Sequence, residues 1–201
     1  MLTIVLQAGG KSTRMGGDKA LMPFLGIPLI ERLRDRFQIL DSEIMVISND
    51  FAGYEYLGLP LHKDVLPDRG ALGGLFTALS AAKTDYVGLI AGDMPFASPQ
   101  LLARLFEEIK SSGADAALPS TSGGLEPLHG LYRRATCKPL VQDAISRDLW
   151  RLNSWHDSAD ILILDPIQSA AAAGSEFTFL NLNTPEEFTA AEKIARENNL
   201  Q

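Results

Sequence analysis

Short, nearly unbroken apolar runs set apart by amphipathic stretches constrain this chain more than any other feature. Residues 3–6, 44–48 and 86–91 show little alternation of polar and apolar side chains, the pattern of strands covered on both faces of a parallel sheet. Between them lie helical periods. Residues 28–38 place Leu29, Leu33 and Phe37 on one face and Glu31, Arg32, Arg34, Asp35 and Arg36 around the rest. Residues 72–83 read as a second helix, apolar enough to lie against a sheet. Ser98-Pro99 starts a third with a hydroxyl cap and proline in the first turn, and Gly113 ends it. Thr184-Pro185-Glu186-Glu187 opens a last helix with a capping box. Residues 114–119, 128–132, 161–164 and 177–180 are expected strands, and residues 121–124 a loop.

This alternation predicts an α/β fold: a single domain over residues 1–201 with a doubly wound, mostly parallel sheet flanked by helices. Ligands bind such sheets beyond the carboxyl ends of the strands, so the loops after Leu6, Ser48 and Ala91 should converge on a site. A hydrophobic content of 46% over 201 residues suffices for a full core. The net charge of -7 argues against a broad nucleic-acid surface, so no nucleic-acid partner is expected. No apolar run is long enough to cross a membrane, and the first residues lack a secretion pattern. The single cysteine, Cys137, allows no internal disulfide; these features together predict a soluble, cytoplasmic protein.

Residues 6–21 read LQAGGKSTRMGGDKAL. Gly9 and Gly10 let the backbone approach a ligand and offer amide N–H groups to phosphate oxygens, while Lys11, Arg14 and Lys19 add positive charge in an acidic chain. A triphosphate is the natural counterpart. A Walker A loop would need glycine where Val5 stands, and the Gly9-Gly10 doublet does not supply the dinucleotide-binding G-x-G-x-x-G.

The string resembles the signature loop of the molybdenum cofactor guanylyltransferases, within the nucleotide-diphospho-sugar transferase fold. The resemblance extends in order through Arg69–Leu75 (RGALGGL), Ala91-Gly92-Asp93-Met94-Pro95-Phe96, Glu126-Pro127-Leu128, Tyr132-Arg133 and Asn181-Leu182-Asn183-Thr184-Pro185. It implies that Gln7, Ala8, Gly9, Gly10 and Lys19 surround the nucleotide, that Asn49 and Asp64 contact the nucleoside, and that Gly73 lines the nucleobase pocket. Gln7 departs from the family's more usual leucine. The resemblance further implies a nucleotide-binding half over residues 1–100 and an acceptor-binding half over residues 101–201.

Asp93 follows an apolar run in a Gly-Asp-Met-Pro turn, so its carboxylate should emerge at the sheet's carboxyl edge. Mg²⁺ takes one or two carboxylates with phosphate oxygens and water, and the resemblance gives Asp93 that role. Asn181 and Asn183 alternate on an extended segment and share a side; the resemblance places them toward the acceptor, with Asn183 open to a metal or a turn role. His62, His129 and His156 lack metal-site or general-base spacing, and Trp150 and Trp155 suit either a flat heterocycle or local packing.

The expected activity is transfer of GMP from GTP to molybdopterin, with Lys19, Asp93 and Arg14 catalytic and Mg²⁺ as cofactor. The resemblance implies molybdenum-insertion proteins or apo-molybdoenzymes as partners. The alternatives are CTP as donor, a sugar or polyol phosphate as acceptor, or a non-catalytic nucleotide-binding carrier.

Overall fold

The computed structural model describes residues 1–8, 17–67 and 69–200, so Gly9, Gly10 and Arg14, assigned above to the nucleotide and to catalysis, lie outside the described residues. The first half comprises β1 (Leu2–Gln7), β2 (Pro23–Phe24), β3 (Ile27–Pro28), α1 (Leu29–Phe37), β4 (Glu43–Ile47), β5 (Leu61–His62), α2 (Gly70–Ala81) and β6 (Tyr86–Ala91). The second comprises α3 (Pro99–Ser112), β7 (Ala116–Thr121), β8 (Gly124–Leu125), β9 (His129–Arg133), α4 (Arg134–Ser146), β10 (Ile161–Leu164), α5 (Pro166–Ala173) and α6 (Pro185–Glu197).

Among the described residues the main sheet has eight strands in the order β10-β7-β9-β6-β1-β4-β5, with β8 paired to β7. Neighbours are parallel except where β9 runs against both β6 and β7, and where β8 turns back on β7. β1 is central: Gln7 stands level with Ile47 on one side and Ala91 on the other. All three chains therefore end together at one edge.

Helices cover both faces. Leu33 and Phe37 of α1, Leu101, Leu102 and Leu105 of α3 and Ala173 of α5 share a core with Ile4, Leu6 and Ile90 on one face. Leu72, Leu75 and Leu79 of α2 and Val141 of α4 pack with Val5, Met45 and Leu89 on the other. Leu33, Leu102 and Leu75 are fully buried, each contributing about 1.5–3 kcal/mol through apolar burial. A third cluster joins Phe188 of α6 to Phe24, Phe96 and Leu182, and Leu182 N–H donates to Asp93 O at 2.9 Å. That bond fixes the last extended segment against the turn after β6.

Several expectations change. Residues 177–180 form turns rather than a strand. Phe177 packs on Phe96 with ring centroids 6.1 Å apart, and Phe179 on His129 at 5.9 Å, so the aromatic alternation fills a loop. Part of the expected loop at residues 121–124 is a tight β7–β8 hairpin, with Thr121 paired to Gly124. α4 has no clear apolar period and carries Pro139 in its interior, which masks it as a helix in the sequence. No described helix is long and apolar enough to cross a membrane.

Candidate active site

Lys19 opens a short 3-10 turn, Lys19–Leu21, capped by Asp18, whose Oδ1 accepts from Ala20 N at 3.1 Å. Its ammonium reaches across the carboxyl edge. Nζ donates to Asp93 Oδ2 at 2.8 Å and to Asn183 Oδ1 at 2.9 Å. Three distant parts of the chain thus meet around one cation, and the Lys19 and Asp93 side chains are only 18% and 25% exposed. Partial burial strengthens such a pair relative to a surface pair, because less water screens it.

A cleft beside the pair is lined by Gln7, Ala8, Asp18, Lys19, Gly92 and Leu128, among others. Gln7 is one of its walls. Its Oε1 is buried without a hydrogen-bond partner among the described residues, an arrangement that costs free energy until a donor is supplied. The side chain lies where a Cβ on Gly74 would stand 1.9 Å from Gln7 Nε2. Gly74 is thus the glycine that makes room for Gln7. At Gly73, expected to line the base pocket, a Cβ would point away from Gln7 and meet Leu66 O at 3.0 Å and Arg69 Cβ at 3.1 Å.

Gly92 is equally constrained. Its N–H donates to Gln7 O at 2.8 Å, and a Cβ would lie 2.8 Å from that oxygen and 3.4 Å from Ala8 Cα. Gly92→Ala is expected to lower stability by roughly 2 kcal/mol and to separate the β1 and β6 loops. Thermal melting checks this; an unchanged melting temperature would mean that the loops do not meet so closely.

Asn49 and Asp64 are brought to each other. Asn49 Oδ1 accepts from Asp64 N at 3.1 Å, while Asp64 Oδ1 accepts from Leu66 N at 3.0 Å and from the Thr77 hydroxyl at 2.6 Å. They tie the segment after β5 to α2, and neither lines the Lys19 cleft. Asn181 shares the exposed side of its segment with Asn183, but its amide donates to Phe179 O at 3.4 Å. Trp155 is buried beside Tyr132, which removes it from any heterocycle site. Trp150 instead carries the Arg69 guanidinium 4.3 Å above its ring.

Two other reactive groups, His129 and Cys137, are structural. Burial pushes His129 down to about 4, so its ring is neutral, and Nε2 accepts from Ser98 N at 3.0 Å to hold the start of α3. Burial raises the Cys137 thiol to about 12, which leaves no thiolate near neutral pH. Sequence reasoning missed Asp18, Ala20, Gly92 and Leu128 in the cleft. The Gly-Gly-Asp-Lys spelling was the available signal for Asp18. For Leu128 it was the Glu126-Pro127-Leu128 stretch, which runs directly into the antiparallel β9.

Strand ends, a lysine, a carboxylate and a carboxamide meeting at one edge of a doubly wound sheet place this chain among α/β proteins that handle anionic nucleotide-like ligands. A family model described as MobA-like NTP transferase domain matches residues 4–159. A probable molybdenum cofactor guanylyltransferase of Natronomonas pharaonis is 33% identical over 196 residues, covering 94% of this chain and 96% of that protein. The molybdenum cofactor guanylyltransferase of Cupriavidus necator is 36% identical over 202 residues, covering 95% and 96%. The crystal structure of molybdopterin-guanine dinucleotide biosynthesis protein A from Archaeoglobus fulgidus has a similar fold, with a TM-score of 0.83 at 23% identity over 98% of this chain and 100% of that one. The chain belongs to the MobA-like NTP transferase family and is a nucleotidyltransferase.

Proposed function

We propose that the protein transfers GMP from GTP to molybdopterin, forming molybdopterin guanine dinucleotide and pyrophosphate, in a cytoplasmic, Mg²⁺-dependent reaction. The substrates come from the names of its relatives. The observation that carries the chemistry is Lys19 Nζ held between Asp93 Oδ2 and Asn183 Oδ1. Two hard oxygen donors sharing one cation fit the preference of Mg²⁺ for carboxylate and carbonyl oxygens. Asp93 and Asn183 would hold the ion; when bound, Mg²⁺ neutralises charge on the reacting phosphates.

Lys19 would stabilise negative charge on the α-phosphate and the leaving pyrophosphate, the role also assigned to the charge of Arg14. The acceptor phosphate is already anionic and attacks in line on the α-phosphorus. It requires no strong general base, in keeping with the neutral, buried His129. Gln7 and the Gly70–Gly74 stretch form the nucleobase side, with Gly9 and Gly10 at the phosphates and Asn49 and Asp64 supporting the nucleoside. Asn181 contributes from the acceptor-binding half.

A matrix of GTP or CTP against molybdopterin or a sugar phosphate, read by pyrophosphate release, tests this reading. The expected result is release only with GTP and molybdopterin. CTP dependence would reassign the base, a sugar-phosphate product would reassign the acceptor, and no release in any cell would reduce the protein to a nucleotide carrier.

A further inference from the structure

We propose that Tyr54 is a positioning residue for Lys19, acting through Asp18; this rests on the role given to Lys19 above. Tyr54 is completely buried, yet it ends in a hydroxyl, which an apolar interior tolerates only when hydrogen-bonded. That hydroxyl donates to Asp18 Oδ2 at 2.5 Å. Burial, reinforced by Asp18, pushes the phenol well above its ordinary range, so it keeps its proton and remains a donor.

Asp18 is therefore engaged at both carboxylate oxygens. Oδ2 accepts from Tyr54, and Oδ1 accepts from Ala20 N, capping the turn that begins with Lys19. Asp18 O also accepts from Leu21 N at 3.1 Å. Direction along the turn is thereby fixed by a residue 36 positions away.

The segment that carries Tyr54 is itself held. Tyr54 N–H donates to Phe51 O at 2.9 Å, and Leu57 N–H donates to Tyr54 O at 3.0 Å. Next to it, Gly53 lies so close to the turn that a Cβ would stand 2.5 Å from Leu21 Cδ1. The block after β4 is a base on which the Lys19 turn rests, and the Tyr54 hydroxyl is its polar attachment. A phenylalanine would fill the core equally well; the hydroxyl serves the turn.

The test is a double-mutant cycle between Tyr54→Phe and Lys19→Ala, with Mg²⁺–GTP affinity measured by calorimetry and kcat and KM by pyrophosphate release. Tyr54→Phe is expected to lower kcat about tenfold, the scale of a slight misplacement of a catalytic group, with little change in melting temperature. In the Lys19→Ala background the same change should lower kcat no further. Equal losses in both backgrounds would overturn the proposal. So would a Tyr54→Phe protein that melts lower but keeps full activity per folded molecule. If Lys19→Ala itself binds GTP and turns over normally, the functional reading fails first, a result distinguishable from additivity. Asp18→Asn, which retains one acceptor oxygen and the side-chain volume, must behave as Tyr54→Phe does.

Discussion

Asp93→Ala is expected to lower kcat/KM for nucleotidyl transfer by about a thousandfold while leaving the fold intact. Asp93 lies in a turn beyond β6, and its carboxylate is one of two side-chain oxygens gathered on the Lys19 ammonium. Removing it takes away the only anionic donor of that set, and with it the proposed hold on Mg²⁺ and the fixed position of Lys19. The cost in stability should be small. A partly exposed ion pair contributes at most about 1 kcal/mol, or roughly 2–4 °C for a chain of this size. Pyrophosphate release and thermal melting on the same preparation check both halves of this expectation. A near wild-type rate would remove Asp93 from the reaction.

Lys19→Ala should move two measurements in opposite directions. With GTP present, the missing ammonium leaves charge on the triphosphate unanswered, and kcat/KM should fall by roughly 100-fold or more. Without nucleotide, the same change frees Asp93 Oδ2 and Asn183 Oδ1, which Lys19 holds at 2.8 and 2.9 Å. Divalent ions should then bind the nucleotide-free variant more tightly than the wild type, because they no longer compete with the ammonium. Mn²⁺ titration followed by electron paramagnetic resonance reads this directly. Weaker Mn²⁺ binding in the variant would show that the two oxygens do not serve one cation. Lys19→Arg is not expected to restore activity, since a planar guanidinium does not replace a compact ammonium between two oxygens.

What was legible beforehand follows how locally each feature is encoded. β1, β4 and β6 were visible because strands covered on both faces are apolar throughout, and α3 and α6 because Ser98-Pro99 and Thr184-Pro185 spell their first turns. Asp93 and Lys19 could be chosen because each follows a recognisable turn in a short motif. Their meeting with Asn183 depends on the Leu182–Asp93 backbone bond, which no local pattern announces. Tyr54 and Asp18 are a pair of the same kind. Phe177 and Phe179 mimic a strand because two alternating aromatics read alike whether they face a sheet or pack beneath a loop. Gly73 and Gly74 sit side by side on α2, about 100° apart around its axis, so only one can face Gln7, and the spelling alone does not say which.

The antiparallel strand β9 has a consequence for how the molecule is made. β6 is flanked by β1, synthesised long before it, and by β9, synthesised well after it. At about 5–20 residues per second, the ribosome needs roughly 2–8 seconds to travel from Ala91 to His129. For an interval of that length after they leave the ribosome, Val87 and Leu89 belong to an open strand edge, the kind of surface to which other chains add. A fragment stopped near residue 100 would keep that edge permanently. Completion of the Lys19–Asp93–Asn183 cluster therefore waits on the later half of the chain, and a nascent protein halted midway keeps an edge open to aggregation.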